Sequence, residues 1–144
     1  MTIAAILKDK GSKVSHVAPE ATIAEVVHVL AERRIGAVVV CGLRGELLGI
    51  LSERDVVRAL ADHGASTLDL HAHELMTTHV TTATSHTTAP EAMQMMTAGR
   101  FRHLPVMEQG RLMGLVSIGD VVKARMMAQD CEVDSLKAYV AGGA

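Results

Sequence analysis

Apolar residues recur along this chain at two spacings, one typical of strands and one typical of helices. Residues 35–40 form a β-branched apolar run, and a Gly-containing turn separates it from a second run over residues 47–51, which predicts a β-hairpin. Ser52 is expected to begin a helix directly after this hairpin. A helix is also predicted before it, because four apolar residues follow the i, i+3, i+4, i+7 spacing: Ile23, Val26, Val27 and Leu30.

The same series of elements occurs twice. Residues 14–40 align with residues 80–106 without a gap, and residues 45–55 align with residues 110–120 after the loss of one residue. In both copies Thr-x-x-Glu, a capping-box pattern, stands at the start of the first helix. Each copy thus predicts a unit of short strand, helix, strand, strand and helix, which places the chain in the α/β class. Identical residues at equivalent positions include Thr22 and Thr88, Glu25 and Glu91, Gly49 and Gly114, Ser52 and Ser117, and Asp55 and Asp120.

The repeat and the polar stretch between its copies divide the chain into predicted segments. Apolar positions continue after Asp120 and predict a long or bent C-terminal helix, which is expected to fray at Gly142 and Gly143. The predicted segments are a first unit over residues 8–68, a linker over 69–75, a second unit over 76–134, and the helix end and tail over 135–144.

Composition and charge argue against several classes of function. Of the 144 residues 49% are apolar, so the chain can bury a core and is not expected to be disordered. A net charge of −2 does not suit a general nucleic-acid binder, and two aromatic residues, Phe101 and Tyr139, are too few to stack on bases. We find no signal peptide, membrane span or CxxC spacing. The expectation is a cytoplasmic protein that binds neither nucleic acid nor membranes.

Each copy has a Ser-x-x-Asp sequence at the point where the hairpin leads into the next helix, Ser52 to Asp55 and Ser117 to Asp120. One interpretation is structural, because Ser is a preferred N-cap residue and an acid in the first turn suits the helix dipole. The other is functional. The turn presents backbone N–H groups that suit a phosphate, and its carboxylate can accept both hydroxyls of a ribose. The duplication of the turn favours a ligand.

The ordered set of motifs resembles a tandem pair of CBS domains, the cystathionine-β-synthase type, also called a Bateman module. The resemblance implies two β-α-β-β-α units that pack sheet to sheet about a pseudo-twofold axis. It further implies that clefts between the units bind adenosine-containing ligands: AMP, ADP, ATP, NAD(H) or S-adenosylmethionine. The residues that carry the resemblance are 34–40, 45–55, 75–77, 100–106 and 110–120.

The resemblance also implies candidate binding residues, each transferred by its position in the motif. None of them is expected to be catalytic or to bind a metal. The candidates are the ribose-binding acids Asp55 and Asp120, the ribose or phosphate ligands Ser52 and Ser117, and, beside the adenine, Ser15 and Thr81.

The two copies differ in their basic residues. Copy two has Arg102 and His103 at the start of its middle strand, where copy one has glycine and alanine. Arg102 offers a bidentate fork for a phosphate, and His103 adds a pH-dependent donor. The alternative interpretation is that both are exposed strand residues without a binding role. Arg54 can turn toward a phosphate or toward Glu53 and water. We therefore predict that the site with Arg102 and His103 is the better anion binder.

These observations favour a regulatory sensor module over an enzyme. We find no nucleophile–base set, P-loop or GxGxxG motif, and the module is expected to need no resident cofactor. Its regulatory ligand is expected to be AMP, ADP, ATP or NAD(H), and its signal is expected to reach a separate effector protein. A homodimer through helix faces is also predicted, because Val56, Val57, Leu60 and the residues from Val121 onward are expected to leave apolar faces uncovered.

Alternatives from other classes stay open at this point. One is a ligand-free oligomerisation scaffold. Another is a His-mediated metal-binding protein, since His71, His73, His79 and His86 lie near one another in the sequence, although a zinc site needs four ligands held by structure. The sequence leaves open the identity of the adenosyl ligand, the number of occupied sites, the partner and the sign of the regulation.

Overall fold

A computed structural model describes residues 1–11 and 13–142 and divides the chain into two compact units. The first-repeat unit comprises Lys13–Thr81 and Met107–Met113. The second-repeat unit comprises Met1–Ser12, Thr82–Val106 and Gly114–Ala144. The last part of the predicted tail, residues 143–144, lies outside the described residues.

The first-repeat unit has the predicted order of strands and helices. Strand β1 (His16–Val17) pairs in parallel with β2 (Ala37–Cys41), and β2 pairs in antiparallel fashion with β3 (Leu47–Ser52), so the sheet order is β1-β2-β3. A 3₁₀ helix over Gly64–Asp69 follows the last of its long helices. The elements are β1 (His16–Val17), α2 (Ile23–Arg33), β2 (Ala37–Cys41), β3 (Leu47–Ser52), α3 (Glu53–His63) and α4 (Ala72–Leu75).

Capping residues set the two ends of α2, and a stripe of apolar side chains determines which of its faces is buried. The Thr22 Oγ1 accepts the Glu25 N–H at 3.2 Å, which satisfies one of the otherwise unpaired donors of the first turn. At the other end Arg34 adopts a left-handed conformation with φ 54°. The side chains that α2 buries join a core with residues from the sheet: Ile23, Val26, Leu30, Val38, Val40 and Leu51.

The second copy repeats these features. Helix α5 (Ala89–Gly99) begins after Thr88, whose Oγ1 accepts the Glu91 N–H at 3.2 Å, and its C-cap residue is Arg100, with φ 57°. The hairpin β4–β5 turns through Gln109 and Gly110, both at positive φ, as the tight two-residue hairpin turns require. The predicted α/β class is confirmed. The elements are α1 (Ile3–Lys10), α5 (Ala89–Gly99), β4 (His103–Glu108), β5 (Arg111–Ser117) and α6 (Ile118–Gly142).

The short first strand predicted for copy two is reduced to one bridge, Ala83 with Val106. In copy one the Val39 N–H donates to the Ser15 carbonyl at 3.2 Å and extends the pairing. The residue equivalent to Val39 is Pro105, which has no N–H to donate. There, the Ala83 N–H donates to the Pro105 carbonyl at 2.9 Å.

Helix α1 was not predicted from the pattern of apolar residues, and it belongs to the second-repeat unit. Its Ile3 and Ile6 are buried in the core of that unit, and the Ile3 N–H donates to the Thr87 carbonyl at 2.8 Å. At the other end of the chain, α6 runs as one helix of 25 residues. Val56 and Val121, which were predicted to lie on uncovered helix faces, are instead buried because each packs into the core of its unit. Within the described part of the chain, no helix is long and apolar enough to cross a membrane.

Candidate functional site

The turn between β3 and α3 holds Asp55 in a reciprocal capping box. The Ser52 N–H and the Ser52 hydroxyl both donate to Asp55 Oδ2, at 2.8 Å and 3.0 Å. The Asp55 N–H donates back to Ser52 Oγ at 3.3 Å. One residue along, the Glu53 N–H donates to the Gly36 carbonyl at 2.9 Å, which ties the helix start to the beginning of β2. The carboxylate therefore has a fixed place at the helix N-terminus.

This arrangement explains why the structural and functional interpretations of the turn are compatible. Both bonds of the box end on Oδ2 of Asp55, so the box does not use Oδ1. An ionised carboxylate oxygen has two lone-pair sites and can accept two hydroxyl donors. The residue is half-buried, which keeps it within reach of a ligand while the box prevents rotation of the side chain.

The turn between β5 and α6 has the same geometry. The Ser117 N–H donates to Asp120 Oδ2 at 2.8 Å, and the Asp120 N–H donates to Ser117 Oγ at 3.2 Å. The Ile118 N–H donates to the Arg102 carbonyl at 2.8 Å, as Glu53 does to Gly36. The structure thus brings the backbone of Arg102 to the start of α6.

Asp120 differs from Asp55 because a lysine from α1 binds it. The Lys10 ammonium donates to Asp120 Oδ2 at 2.6 Å and to the Leu115 carbonyl at 2.8 Å. Burial by itself raises the pKa of Asp120, but the hydrogen bond from Lys10 and that from the Ser117 backbone outweigh it, so the pKa lies below the usual range. The second carboxylate is therefore ionised and already paired with a cation.

Close packing of α1 on β5 places Lys10 at this turn. A Cβ on Gly114 would lie 2.6 Å from Leu7 Cδ2, so the strand can carry only glycine at this position unless Leu7 moves. A cavity of about 290 Å³ adjoins the ion pair. Its polar lining includes Lys10, Asp120 and Lys123, and its apolar lining includes Ile6 and Met127.

The other predicted site residues have more varied surroundings. The Ser15 Oγ accepts a hydrogen bond from Arg33 Nη1 at 2.9 Å, which fixes Ser15 in the first-repeat unit. Arg54 is half-buried in the first turn of α3, beside Asp55, and is engaged in an interaction. The remaining three are Arg102, which is exposed, His103, which is half-buried at the start of β4, and Thr81, which is exposed two residues before Ala83.

Lys10 was not among the predicted site residues, although the sequence contains a signal for it. Ile3, Ile6, Leu7 and Lys10 follow the i, i+3, i+4, i+7 spacing, so a helix through them places the lysine on the apolar face. The spacing does not indicate which carboxylate that face would meet, because Asp120 is 110 residues away.

The histidine cluster does not form a metal site in the described residues. The rings of His71 and His73 stack with their centroids 5.7 Å apart, and His71 Nδ1 lies 3.3 Å from Glu74 Oε2. Within residues 1–11 and 13–142, no three His, Cys, Asp or Glu side chains come together in a way that could hold a metal ion.

Comparison with known proteins identifies the family. The model of the CBS domain matches residues 11–62 and again residues 72–127. The chain belongs to the CBS-domain family. Pairs of CBS domains are regulatory modules. The two matches cover both copies of the repeat, including both Ser-x-x-Asp turns.

Several relatives of this CBS-domain protein have been described. It is 34% identical over 150 residues to the CBS domain-containing protein CBSX3, mitochondrial, of Arabidopsis thaliana. The aligned region covers 99% of this chain and 73% of that protein. The crystal structure of the CBS-domain containing protein ATU1752 from Agrobacterium tumefaciens is 45% identical, with a TM-score of 0.84 over 86% of this chain and 92% of that one. The crystal structure of CBSX2 in complex with AMP has the same fold at 22% identity, with a TM-score of 0.70 over 83% of this chain and 92% of that one.

Proposed function

We propose that this CBS-domain pair is a regulatory module that binds an adenosine-containing ligand (AMP, ADP, ATP or NAD(H)) at its two Ser-x-x-Asp turns. The observation that carries the proposal is the duplicated capping box, in which Ser52 fixes Asp55 and Ser117 fixes Asp120 at a helix N-terminus. A box needed only for helix stability could have any N-cap residue and acid, whereas both copies keep the same pair. CBSX2, which has this fold, was crystallised with AMP.

In the first-repeat unit the proposed site is ready for a ribose. The Asp55 Oδ1, outside the capping box, accepts the ribose hydroxyls, and the first turn of α3 directs backbone N–H groups and the positive end of its dipole at a phosphate. Ser52 and Arg54 lie in the same turn, next to the ribose and phosphate. Ser15, fixed by Arg33, is proposed to lie beside the adenine.

In the second-repeat unit the proposed site depends more strongly on the phosphate. A ribose there competes with the Lys10 ammonium for Asp120, and a phosphate gives that ammonium a new partner. Arg102 and His103 add further donors at the start of β4. Thr81, which ends the first segment of the first-repeat unit, is proposed to lie beside an adenine from its position in the motif alone. The cavity beside Asp120 has Ile6 and Met127 in its lining, which can cover an apolar ring face. We expect this site to be the better anion binder.

Ligand binding is proposed to act on a separate effector protein from a cytoplasmic homodimer that forms through helix faces. Val57 and Leu60 of α3 support the dimer, because 63% and 41% of their surfaces are exposed. No resident cofactor enters the proposal; the nucleotide is an exchangeable regulatory ligand.

Titration calorimetry with adenosine, AMP, ATP and NADH tests the proposal. Asp55→Asn keeps the volume of the side chain but removes its charge, and Asp62→Asn, in the exposed part of the same helix, is the matched control. Loss of a charged hydrogen bond predicts affinity about 10- to 100-fold weaker in Asp55→Asn and unchanged in Asp62→Asn.

A comparison of AMP with adenosine in a second variant separates the two sites. Arg102→Ala should weaken the binding of AMP by about tenfold or more and leave adenosine binding unchanged, because adenosine has no phosphate. The absence of saturable binding for all four ligands at millimolar concentration would contradict the proposal and favour a ligand-free scaffold.

A further inference from the structure

Among the described residues, the C-terminal part of α6 buries none of its side chains. The buried side chains of α6 are Val121 and Ala124, near its start. Every residue from 125 to 142 is exposed, over a stretch that includes Leu136 at 67% and Val140 at 69%. Most helical stability in proteins comes from the packing of an apolar face, so a partner that covers this stretch would stabilise it.

The exposed side chains of this segment form a heptad pattern. Five apolar residues and one glutamine recur at alternating spacings of three and four along one face of the helix, which is the spacing of a two-stranded coiled coil. This seam lies on a different side of α6 from the buried Val121 and Ala124. The a positions are Met126, Val133 and Val140, and the d positions are Val122, Gln129 and Leu136.

The charges that flank the seam are complementary between identical, parallel copies. In a parallel pair each g residue faces the e residue of the next heptad on the other helix. Arg125 at g then meets Asp130 at e of the second copy. Glu132 at g meets Lys137 at e of the second copy, and twofold symmetry doubles both pairs. Every charged contact across the seam is therefore attractive.

Antiparallel pairing of the same helices is less favourable. The antiparallel register that uses the whole seam places Lys123 against Lys137 and sets two copies of Asp130 and two of Glu132 side by side. A shorter register, with Val133 facing Leu136, avoids these contacts but leaves Met126 beyond the end of the facing helix.

We propose that residues 122–142 form a parallel two-stranded coiled coil with a second copy of this chain. β-Branched residues at a, such as Val133 and Val140, together with Leu136 at d favour two strands over three or four. Gln129 at d can hydrogen-bond to its own copy across the seam, which fixes the register. The coil gives a specific pairing to the residues after Val121 that the sequence predicted on a dimer face; it uses a different surface from α3 and does not depend on nucleotide binding.

Disulfide trapping in the full chain tests the orientation. In a Cys131→Ser background, Val140→Cys places a thiol at a and Ala138→Cys places one at f, on the outer surface of the coil. Both parent positions are exposed, so neither change disturbs a core. Under mild oxidation we expect a covalent dimer from Val140→Cys and only the background level from Ala138→Cys. In either antiparallel register the two copies of residue 140 are about 16 Å or more apart along the axis, too far for a disulfide.

Charge reversal tests the register. Glu132→Lys turns two attractive contacts into repulsive ones and should raise the dissociation constant of the dimer on the order of tenfold in sedimentation experiments. Adding Lys137→Glu to this variant should return the dissociation constant to near the wild-type value. Equal cross-linking of Val140→Cys and Ala138→Cys, or no recovery in the double variant, overturns the coil. If the protein is still a dimer by sedimentation when these results are negative, another face of the molecule forms the dimer.

Discussion

The ion pair between Lys10 and Asp120 makes a measurable contribution to stability that replacement of the lysine should remove. In Lys10→Met the aliphatic part of the side chain stays, but the half-buried carboxylate loses the ammonium at 2.6 Å. A fully exposed ion pair contributes about 0.2–1 kcal/mol, and a charged hydrogen bond about 1.5–3 kcal/mol. Because 38% of the lysine side chain and 26% of the aspartate side chain are exposed, we expect about 1–1.5 kcal/mol.

The sign of the pH dependence follows from the lowered pKa of Asp120. Its folded-state pKa lies below the unfolded value of about 3.9, so the stabilisation is fully present above that value and is lost as the pH falls through the folded pKa. Thermal unfolding at pH 7 should show Lys10→Met melting about 3–6 °C below the wild type. The difference should be constant from pH 8 to about pH 5 and should shrink below about pH 4.

Lys8→Met is the matched control, because Lys8 lies on the same helix, is exposed, and gives the same change in net charge. It should melt close to the wild type. If Lys10→Met is no less stable than Lys8→Met at pH 7, or if the gap between them is unchanged at pH 3.5, the ion pair does not stabilise the fold in the way described.

Two further predictions concern the backbone. Gly49→Ala should lower the free energy of unfolding by about 1–3 kcal/mol in urea titrations, because a Cβ there lies 2.7 Å from the Thr77 carbonyl oxygen. Gly114→Ala should lower it by less, because the new Cβ meets the movable end of the Leu7 side chain. Equal losses in the two variants would contradict this reasoning. Gln109→Gly should raise the free energy of unfolding by about 0.3–1 kcal/mol, because Gln109 has φ 50° and glycine adopts positive φ without steric cost. A lower urea midpoint in this variant would contradict the prediction.

Features with local causes were predictable from the sequence. Helices α2 and α5 both begin directly after a threonine whose hydroxyl caps the residue three positions on, and four neighbouring residues are enough to indicate it. The Ser-x-x-Asp turns were predictable for the same reason, because their hydrogen bonds join residues three positions apart. Pro105 also carries a readable signal, since a residue without an N–H stands where Val39 donates one.

Features that depend on contacts distant in the sequence were not predictable. The pairing of Lys10 with Asp120 requires that α1 pack on β5, which the duplicated pattern does not indicate because α1 lies outside the repeat. Likewise, the apolar positions after Asp120 predicted a long helix, but the exposure of its side chains beyond Ala124 is a property of the packed unit. Neither feature is encoded in a short window of residues.

The difference between the two turns has a consequence for the proposed function. A ribose that binds Asp55 breaks no ion pair, whereas one that binds Asp120 must displace Lys10, at a cost of about 1–1.5 kcal/mol, or about 5- to 13-fold in affinity. A phosphate offsets this cost because the displaced ammonium can bind it. Adenosine should therefore bind mainly beside Asp55, while AMP and ATP should bind at both turns. Lys10→Met should strengthen the binding of adenosine at Asp120 and weaken the preference of that turn for AMP, which calorimetry in an Asp55→Asn background can measure. If adenosine and AMP change equally, Lys10 does not act as the competitor.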